Sequence, residues 1–365
     1  MAKRIIIAGG GTGGHIFPAI AIANALKKLE PDTEILFIGA KGKMEMEKVP
    51  QAGYSIEGLD IAGLNRSSLI KNAGLPYKLL KSFFQVRSIF ARFKPDAVIG
   101  VGGYSSFPVL RFAQARRIPS FIHESNSFAG RSNILLGKKA TRIFVATDGM
   151  EKFFPANRIV VSGNPVRPAI VQVPSIERET AAHFFGLNGS RKTLFVVGGS
   201  LGARSINEAI GNGLKPLVDA GLQVIWQTGR NDAEKWRALA NPLPNVKVSE
   251  FIVHMENAYA VADVVVSRAG AMAIAELCVV KKPVLFVPYP HAAEDHQTAN
   301  AKDLVQKHAA LMVKDSAVAT ELVPAILALA SDEEKQKELE EHIGKYAVVD
   351  ADEKIAGTIL KTLAS

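Results

Sequence analysis

The chain of 365 residues is 48% hydrophobic, which supplies enough apolar surface for the cores of two domains. Its single cysteine, Cys278, excludes an intramolecular disulfide and is expected in a core. The first apolar run stops at Ala8, too early for a signal-peptide core, and no apolar stretch approaches the roughly 20 residues that span a bilayer. A cytoplasmic protein is expected.

The formal net charge of +9 is concentrated in the first half of the chain. Residues 1–165 hold 23 Lys and Arg against 11 Asp and Glu, whereas residues 166–365 hold 21 against 24. This asymmetry predicts that the first half faces an anionic partner, either nucleic acid or an anionic membrane surface.

Strand-like apolar runs alternate with helix-like segments along the whole chain. In order they are RIIIAG, EILFIGA, DAVIGVG, SFIHE and RIFVAT, then TLFVVGG, LQVIWQTG, VKVSEFI, DVVVSRAG and PVLFVPY. Ile- and Val-rich runs separated by helices are typical of parallel sheets covered on both faces. The sequence therefore predicts an α/β protein with two doubly wound domains, 1–163 and 164–344, joined near SGNPVRPAIVQVPS. A helix at about 345–365 is the candidate to pack back on the first domain.

Three of the predicted strands run into glycine-rich turns, AGGGTGGH, VGVGGYSS and VVGGSLGA. Glycines at a helix start let backbone N–H groups approach phosphate oxygens, and the helix dipole favours the negative charge. The first turn has G-x-G-x-x-G spacing, but the second strand ends in Gly39, Ala40 and Lys41, without the acid that binds the ribose of a nicotinamide dinucleotide. Another phosphate-bearing ligand is favoured, with a phosphorylated dinucleotide left open.

Seven motifs occur in the order of a known family: GGGTGGHIFPA, VGVGGYSSFP, HESN, SGNPVR, GGSLGARSIN, SRAGAMAIAE and HAAEDHQTANA. Together they span essentially the whole chain, which resembles the MurG family. The resemblance implies a GT-B glycosyltransferase fold, in which two Rossmann-like doubly wound domains face a cleft. It also implies an inverting transfer of N-acetylglucosamine from UDP-N-acetylglucosamine (UDP-GlcNAc) to the muramyl 4-hydroxyl of lipid I, the undecaprenyl-linked muramyl-pentapeptide, forming lipid II for peptidoglycan.

The resemblance places the donor mainly in the C-terminal domain and the lipid acceptor mainly in the N-terminal domain. Positions that match the family's donor contacts in the C-terminal domain are Arg167, Ser200, Ile252, Ala271, Met272, Ala273, Ile274, Ala275, Glu276 and Gln297. Positions that match those closing on the donor from the N-terminal domain are Thr12, Gly13, Gly14 and Asn126.

The residue types fit these assignments. Glu276 can accept hydrogen bonds from both hydroxyls of a ribose, and the planar fork of Arg167 can neutralise diphosphate oxygens. GGSLGA adds backbone N–H groups, so departing UDP can be stabilised without a metal. Although His291, Asp295 and His296 are a mixed ligand set, no second motif completes a metal site. We expect neither a metal nor a cofactor.

Inverting transfer needs a base that takes the proton of the acceptor hydroxyl. The candidates are His15, His123 and Glu124, which all follow or end predicted strands of the first domain. His15 is favoured because an imidazole titrates near neutrality and because ligands bind at the carboxyl edge of such sheets. Contact with the pyrophosphate of the acceptor is the alternative role for His15, and Glu124 is the weaker candidate base.

Segment 69–95 is both apolar and basic. Spacings of three and four predict that one helix stripe faces the core, formed by Leu79, Phe83, Val86, Phe90 and Phe93. A candidate membrane patch lies off this stripe and comprises Leu80, Lys81, Phe84, Arg87 and Ile89. Apolar side chains ringed by cations insert shallowly and attract anionic headgroups, so we expect a peripheral protein on the cytoplasmic face of the bacterial plasma membrane. A wide buried face with solvated lysines is the alternative.

Two other functions stay open at this point. One is a different GT-B enzyme or a UDP-GlcNAc epimerase of similar fold, and the other is a non-enzymatic module that grips nucleic acid. No nucleic-acid recognition motif is evident, and the phenylalanines cluster in one apolar helix rather than forming a stacking surface. We therefore expect no nucleic-acid partner.

Overall fold

The computed structural model describes residues 2–63, 74–199, 201–292 and 295–364. The chain forms two compact units, of which the first contains the residues up to Val166 together with those from Asp350 onward. The second unit is Arg167–Val349.

The first unit is built on a parallel sheet. Its strands are β1 (Arg4–Ala8), β2 (Glu34–Ala40), β3 (Ser55–Leu59), β4 (Ala97–Gly100), β5 (Ser120–Glu124), β6 (Arg142–Val145) and β7 (Ile159–Val161). They pair in the order β3-β2-β1-β4-β5-β6-β7. The helices that connect them are α1 (Gly13–Leu29), α2 (Glu45–Gln51), α3 (Leu75–Phe93), α4 (Ser106–Ala115) and α5 (Arg131–Gly137). The strand order reverses between β1 and β4, and this is where doubly wound folds bind their ligands.

The central strand β1 explains why this sheet is covered on both faces. Ile6 packs into one hydrophobic cluster with Val86 of α3 and Leu110 of α4. Its neighbours Ile5 and Ile7 point to the opposite face and pack with residues of α1. This isoleucine run has no alternating polar residues, which predicts a strand buried on both faces. The structure confirms that prediction.

The second unit repeats this plan with a smaller sheet. Its strands are β8 (Thr193–Val197), β9 (Gln223–Gln227), β10 (Val246–Ser249), β11 (Val264–Ser267), β12 (Val284–Phe286) and β13 (Leu311–Met312). They are parallel in the order β10-β9-β8-β11-β12-β13, so the reversal lies between β8 and β11. The helices are α6 (Pro168–Val171), α7 (Arg178–Phe184), α8 (Arg204–Asn212), α9 (Leu214–Asp219), α10 (Ala233–Ala240), α11 (Met255–Val261), α12 (Ala271–Val280), α13 (His296–Gln306), α14 (Val318–Ser331) and α15 (Glu333–Gly344).

The last helix, α16 (Ala351–Ala364), belongs to the first unit although it ends the chain. Ile355, Ala356 and Ile359 are fully buried and join the hydrophobic cluster that α1 forms on the sheet. Lys28 of α1 and Glu353 of α16 add an ion pair of 2.6 Å at the exposed edge of this packing. Burial of the apolar face, rather than the exposed ion pair, supplies most of the stabilisation.

Cys278 lies in α12 and is buried, as expected for a core residue. Burial raises the pKa of its thiol to about 12, so the thiol stays protonated and unreactive at neutral pH. Within the described part of the chain, none of the helices combines the length and apolar character that crossing a bilayer requires.

Candidate functional site

The first glycine turn, between β1 and α1, is shaped by the loop that follows β4. The N–H of Gly10 donates to the carbonyl of Gly102 over 3.4 Å, and a Cβ on Gly103 would collide with the Gly10 carbonyl. Gly10 has φ of 143° and Gly11 of 89°, which L side chains rarely adopt. Glycines are therefore required for two loops to meet at the reversal point of the sheet.

A buried carboxylate lies directly beneath this turn. Glu45, the first residue of α2, is 1% exposed and accepts the N–H of Gly11 over 2.8 Å and the N–H of Ala40 over 3.0 Å. A Cβ on Gly10 or on Gly39 would strike its side chain. This role could not be predicted from the sequence, because KGKMEMEK contains two similar glutamates and only burial distinguishes Glu45 from the exposed Glu47.

His15 lies in the first turn of α1, at the carboxyl edge of the sheet, as the sequence predicts. Its Nδ1 is 3.0 Å from the carbonyl oxygen of Gly10 and 3.4 Å from Oγ1 of Thr12, the residue before the helix. A carbonyl oxygen only accepts, so Nδ1 of the neutral ring carries the proton and Nε2 carries the lone pair. Nε2 packs over Gly102, where a Cβ would lie 2.7 Å away. This tautomer suits Nε2 to accept a proton.

The other two candidate bases have different surroundings. His123 is fully buried, and burial lowers the pKa of its imidazole to about 4, which makes it too weak a base at neutral pH. Glu124 is 4% exposed, and its carboxylate accepts from the backbone N–H groups of Asn126 and Gly130 and from the side-chain amides of Asn126 and Asn133. These four hydrogen bonds to its two carboxylate oxygens show that Glu124 orders the loop that contains Asn126.

In the second unit the structure brings Arg167 and Glu276 together. The Nε and one terminal nitrogen of Arg167 donate to the two carboxylate oxygens over 2.8 Å and 3.0 Å, a bidentate pair. The phenol of Tyr259 approaches the same carboxylate over 3.5 Å. Burial, with Glu276 beside it, raises the pKa of Tyr259 well above its usual range, so this phenol stays protonated. The sequence singles out Arg167 and Glu276 as separate candidates. It predicts neither the contact between them nor the contact of Tyr259 with the same carboxylate.

Glu276 is the sixth of the ten residues of α12, the helix that follows β11 at the reversal point of the second sheet. The residues that precede it in this helix, Ala271, Met272, Ala273, Ile274 and Ala275, are partly exposed, and Glu276 is 7% exposed. A carboxylate has about four lone-pair sites, so the two hydrogen bonds from Arg167 leave it able to accept from ribose hydroxyls.

Gln227, which the sequence did not single out, connects two loops at the same edge of the sheet. Its amide donates to the carbonyl of Gly199 over 3.0 Å and accepts the N–H of Ile252 over 2.8 Å. A Cβ on Gly202 would collide with the carbonyl of Thr228, so the loops after β8 and β9 meet backbone to backbone. Gln297, in the first turn of α13, accepts the N–H of Tyr289 over 2.9 Å.

Ser200 lies outside the described residues, so its predicted phosphate contact stays a prediction. Gly13 and Gly14 form the first two positions of α1. Asp295, with φ of 53°, precedes α13, which begins at His296. Within the described ranges no three His, Cys, Asp or Glu side chains group as metal ligands would.

The candidate membrane patch on α3 requires one correction. Ile89 is 3% exposed and packs with Val86 and Phe90 in the core, because a spacing of three from Val86 places it on the buried face. Leu80 and Phe84 are exposed by 58% and 62%, in a stripe that Tyr77 extends by one turn. Arg87 is exposed, while Lys81 forms an ion pair of 3.0 Å with Asp60.

The sequence of this chain matches the models of a known enzyme family. Family models for the glycosyltransferase family 28 N-terminal and C-terminal domains match residues 5–145 and 193–355. The chain therefore belongs to glycosyltransferase family 28. The predicted α/β fold of two Rossmann-like domains is confirmed.

The names of individual relatives are more specific than the family description. A Bacteroides fragilis protein named UDP-N-acetylglucosamine–N-acetylmuramyl-(pentapeptide) pyrophosphoryl-undecaprenol N-acetylglucosamine transferase is 49% identical over 364 residues, or 99% of this chain and 96% of that protein. The crystal structure of Acinetobacter baumannii MurG aligns with a TM-score of 0.80 and 29% identity, covering 98% of this chain and 99% of that one. A putative UDP-N-acetylglucosamine 2-epimerase from Listeria monocytogenes, at 15% identity and a TM-score of 0.70 over 99% and 97% of the two chains, shares the fold alone.

Proposed function

We propose that this protein transfers N-acetylglucosamine from UDP-GlcNAc to the muramyl 4-hydroxyl of lipid I, with inversion at the sugar carbon, and so forms lipid II. The 49% identity to the Bacteroides fragilis transferase, which extends over 99% of the chain, carries this proposal. The geometry supports it with a base in the first unit and a nucleotide-binding set in the second.

The second unit supplies the donor site. Glu276 accepts the ribose hydroxyls, while the Arg167 fork holds its carboxylate in place and uses only two of the five guanidinium N–H donors. The donors that remain are suited to the diphosphate, whose negative charge grows as UDP departs. Ser200, Ile252, Gln297 and the first turns of α12 complete this proposed site.

The first unit supplies the acceptor side. Nε2 of His15 takes the proton of the 4-hydroxyl as the new bond to the sugar carbon forms and the bond from that carbon to UDP breaks. Thr12 and Asn126 lie in loops at this part of the sheet edge, and Gly13 and Gly14 begin α1. His15 is preferred to Glu124 because the Glu124 carboxylate already accepts four hydrogen bonds, from Asn126, Gly130 and Asn133.

The acceptor is a lipid, and the exposed stripe of Leu80 and Phe84 is the proposed membrane contact. Lys81 and Arg87 flank it, and shallow insertion of the stripe would bring these cations to anionic headgroups. The protein is then peripheral on the cytoplasmic face of the membrane.

The deciding experiment measures UDP release from UDP-GlcNAc with and without lipid I. We expect release only when lipid I is supplied, with lipid II as the product. Turnover of UDP-GlcNAc without an acceptor would instead favour an epimerase and overturn the proposal.

A further inference from the structure

Glu45 has no part in the function proposed so far, although it lies beneath the first glycine turn. It is among the few charged side chains of the first unit that are almost wholly buried. A buried carboxylate is costly unless hydrogen bonds satisfy it, and two backbone N–H groups, of Gly11 and Ala40, do so here. Because burying a charged group opposes folding, we looked for a function of the Glu45 carboxylate.

The contacts of Glu45 and His15 converge on a single peptide group. Its N–H, on Gly11, donates to Oε2 of Glu45 over 2.8 Å. Its carbonyl, on Gly10, accepts from Nδ1 of His15 over 3.0 Å. The N–H and C=O of a planar trans peptide point in opposite directions, so fixing one fixes the other. The carboxylate therefore orients the carbonyl that sets the tautomer of the imidazole.

We propose that Glu45 is a positioning residue for His15, acting through the Gly10–Gly11 peptide group. This rests on the proposed function, in which His15 is the base. The negative charge polarises the peptide, so its carbonyl becomes a stronger acceptor and holds the proton on Nδ1. The lone pair then stays on Nε2, and a stronger partner on Nδ1 makes Nε2 more basic.

The shape of the turn supports a specific fit. A Cβ on Gly10 or Gly39 would occupy the place of the Glu45 side chain, so these glycines leave the space that the carboxylate fills. On the other side, Nε2 of His15 packs over Gly102. The imidazole is thus held between the peptide group that Glu45 orients and the loop after β4.

The first test is spectroscopic and uses the full-length protein with ¹⁵N-labelled histidine. In the wild type the neutral His15 ring should show the Nδ1–H tautomer. In Glu45→Gln the amide can accept only one of the two N–H groups and presents a donor to the other, so we expect a shift toward the Nε2–H tautomer. The matched control is Glu47→Gln, on the same helix but exposed, which should leave the tautomer unchanged. A wild-type tautomer in Glu45→Gln would overturn the proposal.

The second test is kinetic. Glu45→Gln should lower kcat for lipid I about 10- to 100-fold while the Kd for UDP, measured by calorimetry, stays unchanged. Because Glu45 acts through His15, the double variant with His15→Ala should be no slower than His15→Ala alone. If the double variant has a lower kcat than His15→Ala, by the factor that Glu45→Gln loses alone, the two residues act independently and the mechanism is contradicted.

The tests must also allow for a variant that does not fold and for a wild type that shows no transfer. If Glu45→Gln does not fold, Glu45→Asp takes its place, because it keeps the charge but is one methylene too short to reach both N–H groups. An intermediate tautomer shift is expected for it, and an unchanged tautomer would count against the proposal. If the wild type shows no transfer at all, the proposed function fails, whereas the spectroscopic test still decides whether Glu45 sets the state of His15.

Discussion

The two units share one topology but fix the loops at their sheet edges with different chemistry. In the first unit buried carboxylates do this work: Glu45 holds the turn after β1, and Glu124 holds the loop after β5. In the second unit the neutral amide of Gln227 connects the loops after β8 and β10, and the one carboxylate among the proposed donor residues, Glu276, is neutralised by Arg167.

This difference bears on which ligand each edge can take. A carboxylate that already accepts the N–H of Gly11 puts negative charge behind the first turn, which favours a base and opposes a phosphate at that N–H. A loop held by a neutral amide carries no such opposition. The same glycine-rich sequence signal can therefore serve proton transfer in one unit and diphosphate binding in the other.

The largest effect should come from His15→Ala. Removing a general base should lower kcat by about 10²- to 10⁴-fold, while the Kd for UDP, whose proposed site is in the second unit, stays unchanged. Steady-state kinetics with lipid I and calorimetry with UDP check both expectations. The control is His183→Ala, an exposed histidine of the second unit. A raised KM for lipid I with kcat retained would assign His15 to the acceptor pyrophosphate instead.

Acid should weaken the first unit selectively through His123. Its pKa is lowered from 6.5 to about 4 by burial, so the unfolded state binds more protons than the folded state between these values. Stability is therefore full above about pH 6.5 and falls as the pH decreases toward 4, by about 3 kcal/mol in total from this group. Hydrogen exchange in the strands of the first unit measures the loss.

His123→Gln removes the titrating group and should flatten this pH dependence. Both tryptophans of the chain, Trp226 and Trp236, lie in the second unit, so their fluorescence follows that unit separately. The described histidines there are all at least partly exposed, and we expect a weaker response. Equal acid sensitivity of the wild type and His123→Gln would contradict the assignment.

Glu276→Gln should weaken UDP binding about 10- to 100-fold. The amide cannot accept from both ribose hydroxyls and the Arg167 fork together, and hydrogen bonds to a charged group contribute about 1.5–3 kcal/mol. Calorimetry with UDP measures the change, and Glu321→Gln, an exposed helix position of the same unit, is the control. An unchanged Kd would remove Glu276 from the ribose site.

The smallest effect is expected at the surface of α3. Replacing both Leu80 and Phe84 by serine should lower binding to anionic vesicles about tenfold, since shallow insertion recovers only part of the roughly 1.5–3 kcal/mol of full burial per side chain. Vesicle flotation measures the binding. Serine at Phe184 and Leu239, two exposed apolar positions of the second unit, should have no effect, and equal losses would argue against a localised membrane patch.

The layered fold could be predicted from the sequence. After their first residue, the runs RIIIA and TLFVV are apolar at every position, so they must be covered on both faces. The glycine turns that follow them mark the edge where ligands bind. These are properties of short segments, and each can be recognised without knowing what packs against it. The same holds for His15, whose place at the start of α1 follows from the turn before it.

Which polar groups contact one another could not be predicted from the sequence and follows from the folded chain. Glu45 and Glu47 look alike in sequence, and 109 positions separate Arg167 from Glu276. Ile89 shows the same limit from the apolar side, since a helix pattern does not state where its buried face is centred. The helix α3 buries Ser82 and Ile89, whereas Leu79 and Phe83 of the predicted stripe are only partly buried. Long-range contacts depend on how loops from separate strands are brought to one sheet edge, and local periodicity carries no record of that.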